Sequence, residues 1–144
     1  MRVTKKSQYG LRTMIYLAKA LNQKRVCSLK EISSKEHIPF DFLEKVVREL
    51  RKAGLVKSKK GLYGGYFLAK SPRKITAGEI IKILEKNILP IECKTCPVAK
   101  KCSMKRVWKE IKNSLNTLLN SITLEDLAKR KKINLIYEKQ ENLF

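Results

Sequence analysis

Apolar residues recur at helical spacing over residues 6–22, at Tyr9, Met14, Leu17, Ala18 and Leu21, and predict a first helix. A connector over 23–27 leads to Ser28, with Glu31 three residues later. That pair reads as a capping box opening a short helix that carries Leu29 and Ile32. His37 falls in the following turn, and Pro39 suits a helix start. A third helix is predicted over 40–53, with Gly54 as its stop. On it Phe42, Leu43, Val46, Val47 and Leu50 share one face, assigned to the core. Asp41, Lys45, Arg48 and Lys52 take the opposite face, with Glu44 and Arg51 beside them.

The period then changes. Residues 55–59 and 65–69 read as short strands joined by a glycine-rich tip, and Pro72 ends the hairpin. Thr76 with Glu79 forms a second capping box before a helix through Ile80, Ile81, Ile83 and Leu84. Asn87, Pro90 and Pro97 break the pattern, so 87–102 is a loop. Ser103 is the expected cap of a long helix whose stripe is Val107, Ile111, Leu115, Leu118, Leu119 and Ile122. Thr123 and Asp126 mark one more start, and the tail 131–144 either extends a helix or frays. The order of three helices, then a hairpin, predicts a mainly α fold with a small β-hairpin. It divides into a winged helix-turn-helix over 1–86, a loop over 87–102, and a long helix with tail over 103–144.

Composition adds a constraint on partners. The 144 residues carry 33 Lys and Arg against 13 Asp and Glu, a net charge of +20, and 43% are hydrophobic. That hydrophobic share excludes a disordered polybasic tail, and the length allows one domain with a core. A surface this positive selects polyanions. No apolar run approaches the roughly 18 residues of a membrane span, so no membrane partner and a cytoplasmic location are expected. Residues 1–60 hold 16 Lys and Arg against 5 Asp and Glu.

Placement of that charge points to duplex DNA. A recognition helix needs an apolar back and a polar front, the arrangement of residues 40–53. Lys57, Lys59 and Lys60 lead into a tip where Gly64 and Gly65 allow close approach to phosphates, and Tyr63 can pack on the sugar-phosphate backbone. Thr4, Lys5 and Lys6, at the start of the first helix, are further phosphate candidates. Against this, Asp41–Lys45 and Glu44–Arg48 are i,i+4 pairs of the kind that merely solvate a helix face. The coincidence of basic helix, basic glycine-tipped hairpin and overall charge favours DNA.

Four cysteines fall as Cys27 alone and Cys93, Cys96 and Cys102 together. Three thiols within ten residues suit an iron–sulfur cluster or zinc. Lys94, Lys100, Lys101 and Lys105 favour thiolates and offset an anionic cluster. A structural zinc, a dithiol switch through Cys93 and Cys96, or reduced cysteines without function are the alternatives, with control then falling to a small molecule or a protein partner. A thiol redox enzyme is the remote one, lacking the strand-turn-helix context of such sites, so no enzyme is expected. Cys27 reads as a small core residue, and Trp108 as packing under the loop.

Several segments together resemble the IscR/NsrR/CymR-type regulators, the Rrf-two family of bacterial winged-helix repressors. These are Met1 to Lys6 with Tyr9-Gly10-Leu11, Phe42-Leu43-Glu44, Leu50 to Val56, Gly61 to Tyr66, Ile75 to Ile80, and Thr123 to Leu127. The resemblance covers residues 1–127. It implies control of transcription by a homodimer at a two-fold related DNA site, paired through the helix starting near Ser103. It puts the base-reading position at Glu44, flanked by Phe42 and Lys45, where a carboxylate can accept from cytosine N4. It puts the wing contact at Lys60. Cluster-binding members carry three cysteines in this loop followed by a Trp, here Trp108, which implies an iron–sulfur cluster, [2Fe–2S] or [4Fe–4S], on Cys93, Cys96 and Cys102. This chain has Lys105 where some members have a histidine and Gln8 where others have an acidic residue, so the fourth ligand is unassigned.

Overall fold

The computed structural model describes residues 3–89 and 91–130. Its elements are α1 (Lys5–Asn22), α2 (Leu29–Glu36), α3 (Phe40–Lys52), β1 (Val56–Lys59), β2 (Gly65–Leu68), a 3-10 turn (Pro72–Lys74), α4 (Ala77–Leu84), α5 (Lys105–Ser121) and α6 (Leu124–Ala128). The chain is mainly α with one small antiparallel hairpin, as the sequence pattern predicts.

Short polar side chains set most helix starts. Thr4, Ser28, Thr76 and Thr123 each accept a hydrogen bond from the backbone N–H three residues on, satisfying one otherwise orphaned donor. At Thr123 the box is reciprocal, because Asp126 also accepts from the Thr123 N–H. His37, at φ 51°, closes α2 in the left-handed conformation, and Gly54, at φ 79°, turns the chain out of α3 into the hairpin.

The core lies between α1, α2, α3, α4 and the hairpin. Met14, Leu17, Ile32, Leu43, Val46, Leu50, Leu55 and Ile80 are fully buried there. Leu124 of α6 joins the same cluster. Two backbone bonds hold it, Ala77 N–H to Ile122 O at 2.9 Å and Leu124 N–H to Ile75 O at 2.8 Å. The chain therefore leaves the domain through α4, runs through the cysteine loop and α5, and returns to the start of α4.

The hairpin pairs Val56 with Leu68 and Lys59 with Gly65. Cys27 extends it by one bridge: its N–H donates to Tyr66 O at 3.0 Å and its carbonyl accepts from Tyr66 N–H at 2.7 Å. Only glycine fits at 65, since a Cβ there would stand 2.6 Å from the Cys27 carbonyl oxygen.

Several sequence expectations are corrected. Ser28–Glu31 and Thr76–Glu79 are one-sided caps, not reciprocal boxes, because the Glu31 carboxylate accepts from Tyr16 and Arg25 and the Glu79 carboxylate from Lys70. Ser103 does not cap α5: the helix starts at Lys105 with Met104 at the cap position and no side-chain cap bond. A turn across Cys102–Lys105, with Lys105 N–H to Cys102 O at 3.3 Å, displaces the start by about one residue. Phe42 does not join the core face of α3. It stays 36% exposed, with its ring edge-on to Tyr9 of α1 at 5.3 Å between centroids. The prediction for 131–144 lies outside the described residues.

Candidate nucleic-acid interface and cysteine loop

α3 is divided sharply between two environments. Leu43, Val46, Val47 and Leu50 are buried, whereas Phe42, Glu44, Lys45, Arg48, Arg51 and Lys52 are exposed. Every polar site candidate on this helix therefore faces away from the core. Glu44 and Arg48 approach at 3.7 Å with both side chains at least half exposed, too weak a pairing to lock either one. Asp41 and Lys45 form no ion pair with each other.

Tyr9 links this helix to the start of α1, a role the sequence reading missed. Its ring meets Phe42 on one side, and Lys5 Nζ stands 5.9 Å from its centroid. The exposed Lys5 is thus held beside the N-terminal turn of α3. Lys6 is instead paired with Glu49 at 2.8 Å. Thr4 is also engaged: its N–H and hydroxyl both donate to Glu85 Oε1, at 2.8 and 2.5 Å, and the Ser7 hydroxyl donates to the same oxygen at 2.8 Å. Burial raises the Glu85 carboxyl, but these bonds and the nearby Lys6 ammonium outweigh it and hold it below the usual carboxylate range. Of the α1 phosphate candidates, only Lys5 keeps its donors free of such a partner.

On the hairpin Lys57, Lys59 and Lys60 are exposed, and Tyr63 at the tip is 85% exposed. The tip is preformed: Gly64 N–H donates to Gly61 O at 3.0 Å, and a Cβ on Gly64 would meet Lys59 O at 2.1 Å. Gly65 is half-buried against Cys27, so it shapes the base of the wing. Below that base Glu31 accepts from the Tyr16 hydroxyl at 2.6 Å and from Arg25. Desolvation raises the fully buried Cys27 thiol, with Glu31 adding to the rise, which suits an inert core residue.

Cys93, Cys96 and Cys102 are all half-buried, without a disulfide among them, and on one loop. Turns with Ala99 N–H to Cys96 O at 3.1 Å and Lys101 N–H to Val98 O at 3.0 Å compact its second half. Among the described residues no three Cys, His, Asp or Glu side chains converge as a metal site. The donor chemistry fits three legs of a thiolate-bound cluster, but the arrangement is not preformed. Trp108 follows on α5, half-buried.

α5 carries an apolar stripe, yet none of its 17 residues is buried. Val107 and Ile111 are 43% and 37% exposed and, with Leu115 and Leu118, line a groove of about 460 Å³. Among the described residues no helix is long and apolar enough to cross a membrane.

Comparison with known proteins bears on this arrangement. The Rrf2 family model, described as an iron-dependent transcriptional regulator, matches residues 3–130. The HTH-type transcriptional regulator CymR of Bacillus subtilis (strain 168) is 42% identical over 128 residues, covering 89% of this chain and 90% of the relative. Its solved structure, described as that of the global cysteine regulator, superposes with a TM-score of 0.77 over 92% of this chain and 99% of that one. T. potens IscR is 36% identical with a TM-score of 0.73, covering 96% of each chain. Staphylococcus aureus CymR in an oxidised form is 32% identical with a TM-score of 0.72, covering 94% of this chain and 100% of that one.

Proposed function

The chain belongs to the Rrf2 family of transcriptional regulators, and from that premise we propose that it binds duplex DNA as a homodimer at a two-fold related site and represses transcription there. The observation that carries this reading is the division of α3 into a buried apolar back and an exposed polar front. In it Glu44, flanked by Phe42 and Lys45, reads base edges in the major groove. Arg48, Arg51 and Lys52 on α3, Lys5 on α1, and Lys57, Lys59, Lys60 and Tyr63 on the wing contact the backbone. Gly64 and Gly65 set the wing's shape, and Thr4 positions Lys5 through its bonds to Glu85.

The dimer forms through α5, which begins two residues after Ser103. An apolar stripe exposed along a helix of about 25 Å needs a cover, and a second copy of the same helix supplies a matching one. Residues 1–86 are then the DNA-binding unit, 87–102 the control loop, and 103–144 the dimerisation helix with the C-terminal tail.

The control loop carries an iron–sulfur cluster on Cys93, Cys96 and Cys102. Such a group would supply redox-sensitive ligation. The chain's own part is three half-exposed thiols amid Lys94, Lys100, Lys101 and Lys105, on a segment that must close to bring the thiols together. A second reading is thiol control without a cluster, through a Cys93–Cys96 disulfide. The likeness to a CymR solved in an oxidised form favours it.

Anaerobic purification with visible absorption and iron, sulfide and zinc analysis tests the assignment. A coloured protein with stoichiometric iron and sulfide supports the cluster. A colourless protein with stoichiometric zinc makes the metal structural. A colourless, metal-free protein that forms a Cys93–Cys96 disulfide supports the thiol reading.

A further inference from the structure

A second cleft lies between the cysteine loop and α5, and it has a different character from the dimer groove. It encloses about 600 Å³, within the size range of small-molecule sites. Its apolar wall is Leu89, Ile91 and the half-buried ring of Trp108. Four lysines, Lys94, Lys105, Lys109 and Lys112, are among its lining residues, against one acidic residue, Glu92. None of the four lysines has an ion-pair partner among the described residues. Four lysines without an ion-pair partner on the lining of one cleft give it a positive bias, which favours a guest of multiple negative charge.

We propose that this cleft binds a small aromatic phosphate of the nucleoside monophosphate class. The flat ring stacks on Trp108, an interaction that every nucleobase can make. The phosphate, at about −1.5 to −2 charge near neutral pH, lies among the lysines. In a dimer paired along the Val107–Ile111 groove as proposed above, the position on the helix leaves the cleft open. Lys105, Trp108, Lys109 and Lys112 follow at i, i+3, i+4 and i+7, and their face is rotated by roughly 140° from the Val107–Ile111 groove. One wall is loop and the other is helix, so a bound molecule bridges the two. Cys93 also lines the cleft, so occupancy restricts access to its thiol. The site thus adds a small-molecule input to the control loop assigned above, and its binding step, read on the cluster-free protein, does not depend on DNA.

Trp108 is the only tryptophan of the chain, so its fluorescence reports this cleft alone. The full-length protein is titrated with adenosine monophosphate, with adenosine and inorganic phosphate as separate arms. The proposal expects a saturable change with adenosine monophosphate at a Kd below about 1 mM, each half alone being at least about tenfold weaker. Lys109→Ala with Lys112→Ala weakens the nucleotide at least about tenfold. Lys19→Ala with Lys30→Ala, exposed lysines on α1 and α2, leaves it unchanged. Bound nucleotide also slows iodoacetamide labelling of Cys93. A flat or unsaturable titration overturns the site. So does phosphate binding as well as the nucleotide, or an equal loss in the two lysine pairs, which would show a diffuse cationic field. Duplex affinity is not read in this titration, so its failure leaves the DNA reading standing.

Discussion

Thr4 and Glu85 are joined by two hydrogen bonds to one carboxylate oxygen, at 2.5 Å from the hydroxyl and 2.8 Å from the backbone N–H. Thr4 caps α1 beside Lys5, and Glu85 closes α4 just before the cysteine loop. The pair ties the edge of the proposed DNA surface to the root of the proposed control loop.

Glu85→Gln keeps the shape and removes the charge. At neutral pH it is expected to lower stability by about 1–2 kcal/mol, the difference between hydrogen bonds to charged and to neutral acceptors. Because the native carboxyl is held below its ordinary value, its contribution is full above about pH 4.3 and is lost as pH falls through the native value. Denaturant melts of both proteins from pH 7 downward should converge in acid. A gap that persists unchanged there contradicts the assignment.

Gly65→Ala forces a Cβ to within 2.6 Å of the Cys27 carbonyl oxygen and 2.7 Å of its carbon. Both are backbone atoms and cannot swing aside. A loss of about 1–3 kcal/mol is expected, together with weaker binding to every duplex, as the wing leaves its bridge to Cys27. Thermal melts and gel shifts on the same variant check both.

Ile111→Glu places a charge in the exposed stripe of α5 without touching the buried core. Sedimentation should show the dimer shifted to monomer, and duplex affinity should fall with it while circular dichroism stays unchanged. A variant that remains dimeric would move the interface off this helix.

How much of this was legible in the sequence depends on distance along the chain. Caps at Ser28, Thr76 and Thr123 and the stop at Gly54 rest on interactions within a few residues, so their residue types announce them. The exposed front of α3 follows from periodicity for the same reason. Ser103 misled because a cap-competent residue is no guarantee of a cap when a preceding turn sets the phase. Phe42 misled because an edge position on a helix looks apolar whether the ring enters the core or lies across a neighbour such as Tyr9. The Thr4–Glu85 pair, 81 residues apart, and the bridge from Cys27 to Tyr66 leave no local trace. The sequence spacing of Cys93, Cys96 and Cys102 was plain, but whether their thiols meet is a matter of loop conformation.

If roughly six to ten phosphates are neutralised per dimer, affinity should fall about 10³–10⁵-fold between about 50 and 200 mM salt. Lys57→Ala should weaken all duplexes about equally and reduce the salt slope by about one for each phosphate left without its lysine. Anisotropy titrations across salt concentrations measure both. A slope near zero would remove the wing and α1 lysines from the interface.

Selection of bound duplexes from a random pool, performed in parallel for the wild-type protein and Glu44→Ala, tests the central claim most directly. The wild-type protein should enrich two related half-sites about one helical turn apart, ~34 Å, and Glu44→Ala should change the preferred base at one position in each half. Enrichment of no sequence by the wild-type protein, or of an identical sequence by both, would contradict α3 as the element that reads DNA through Glu44.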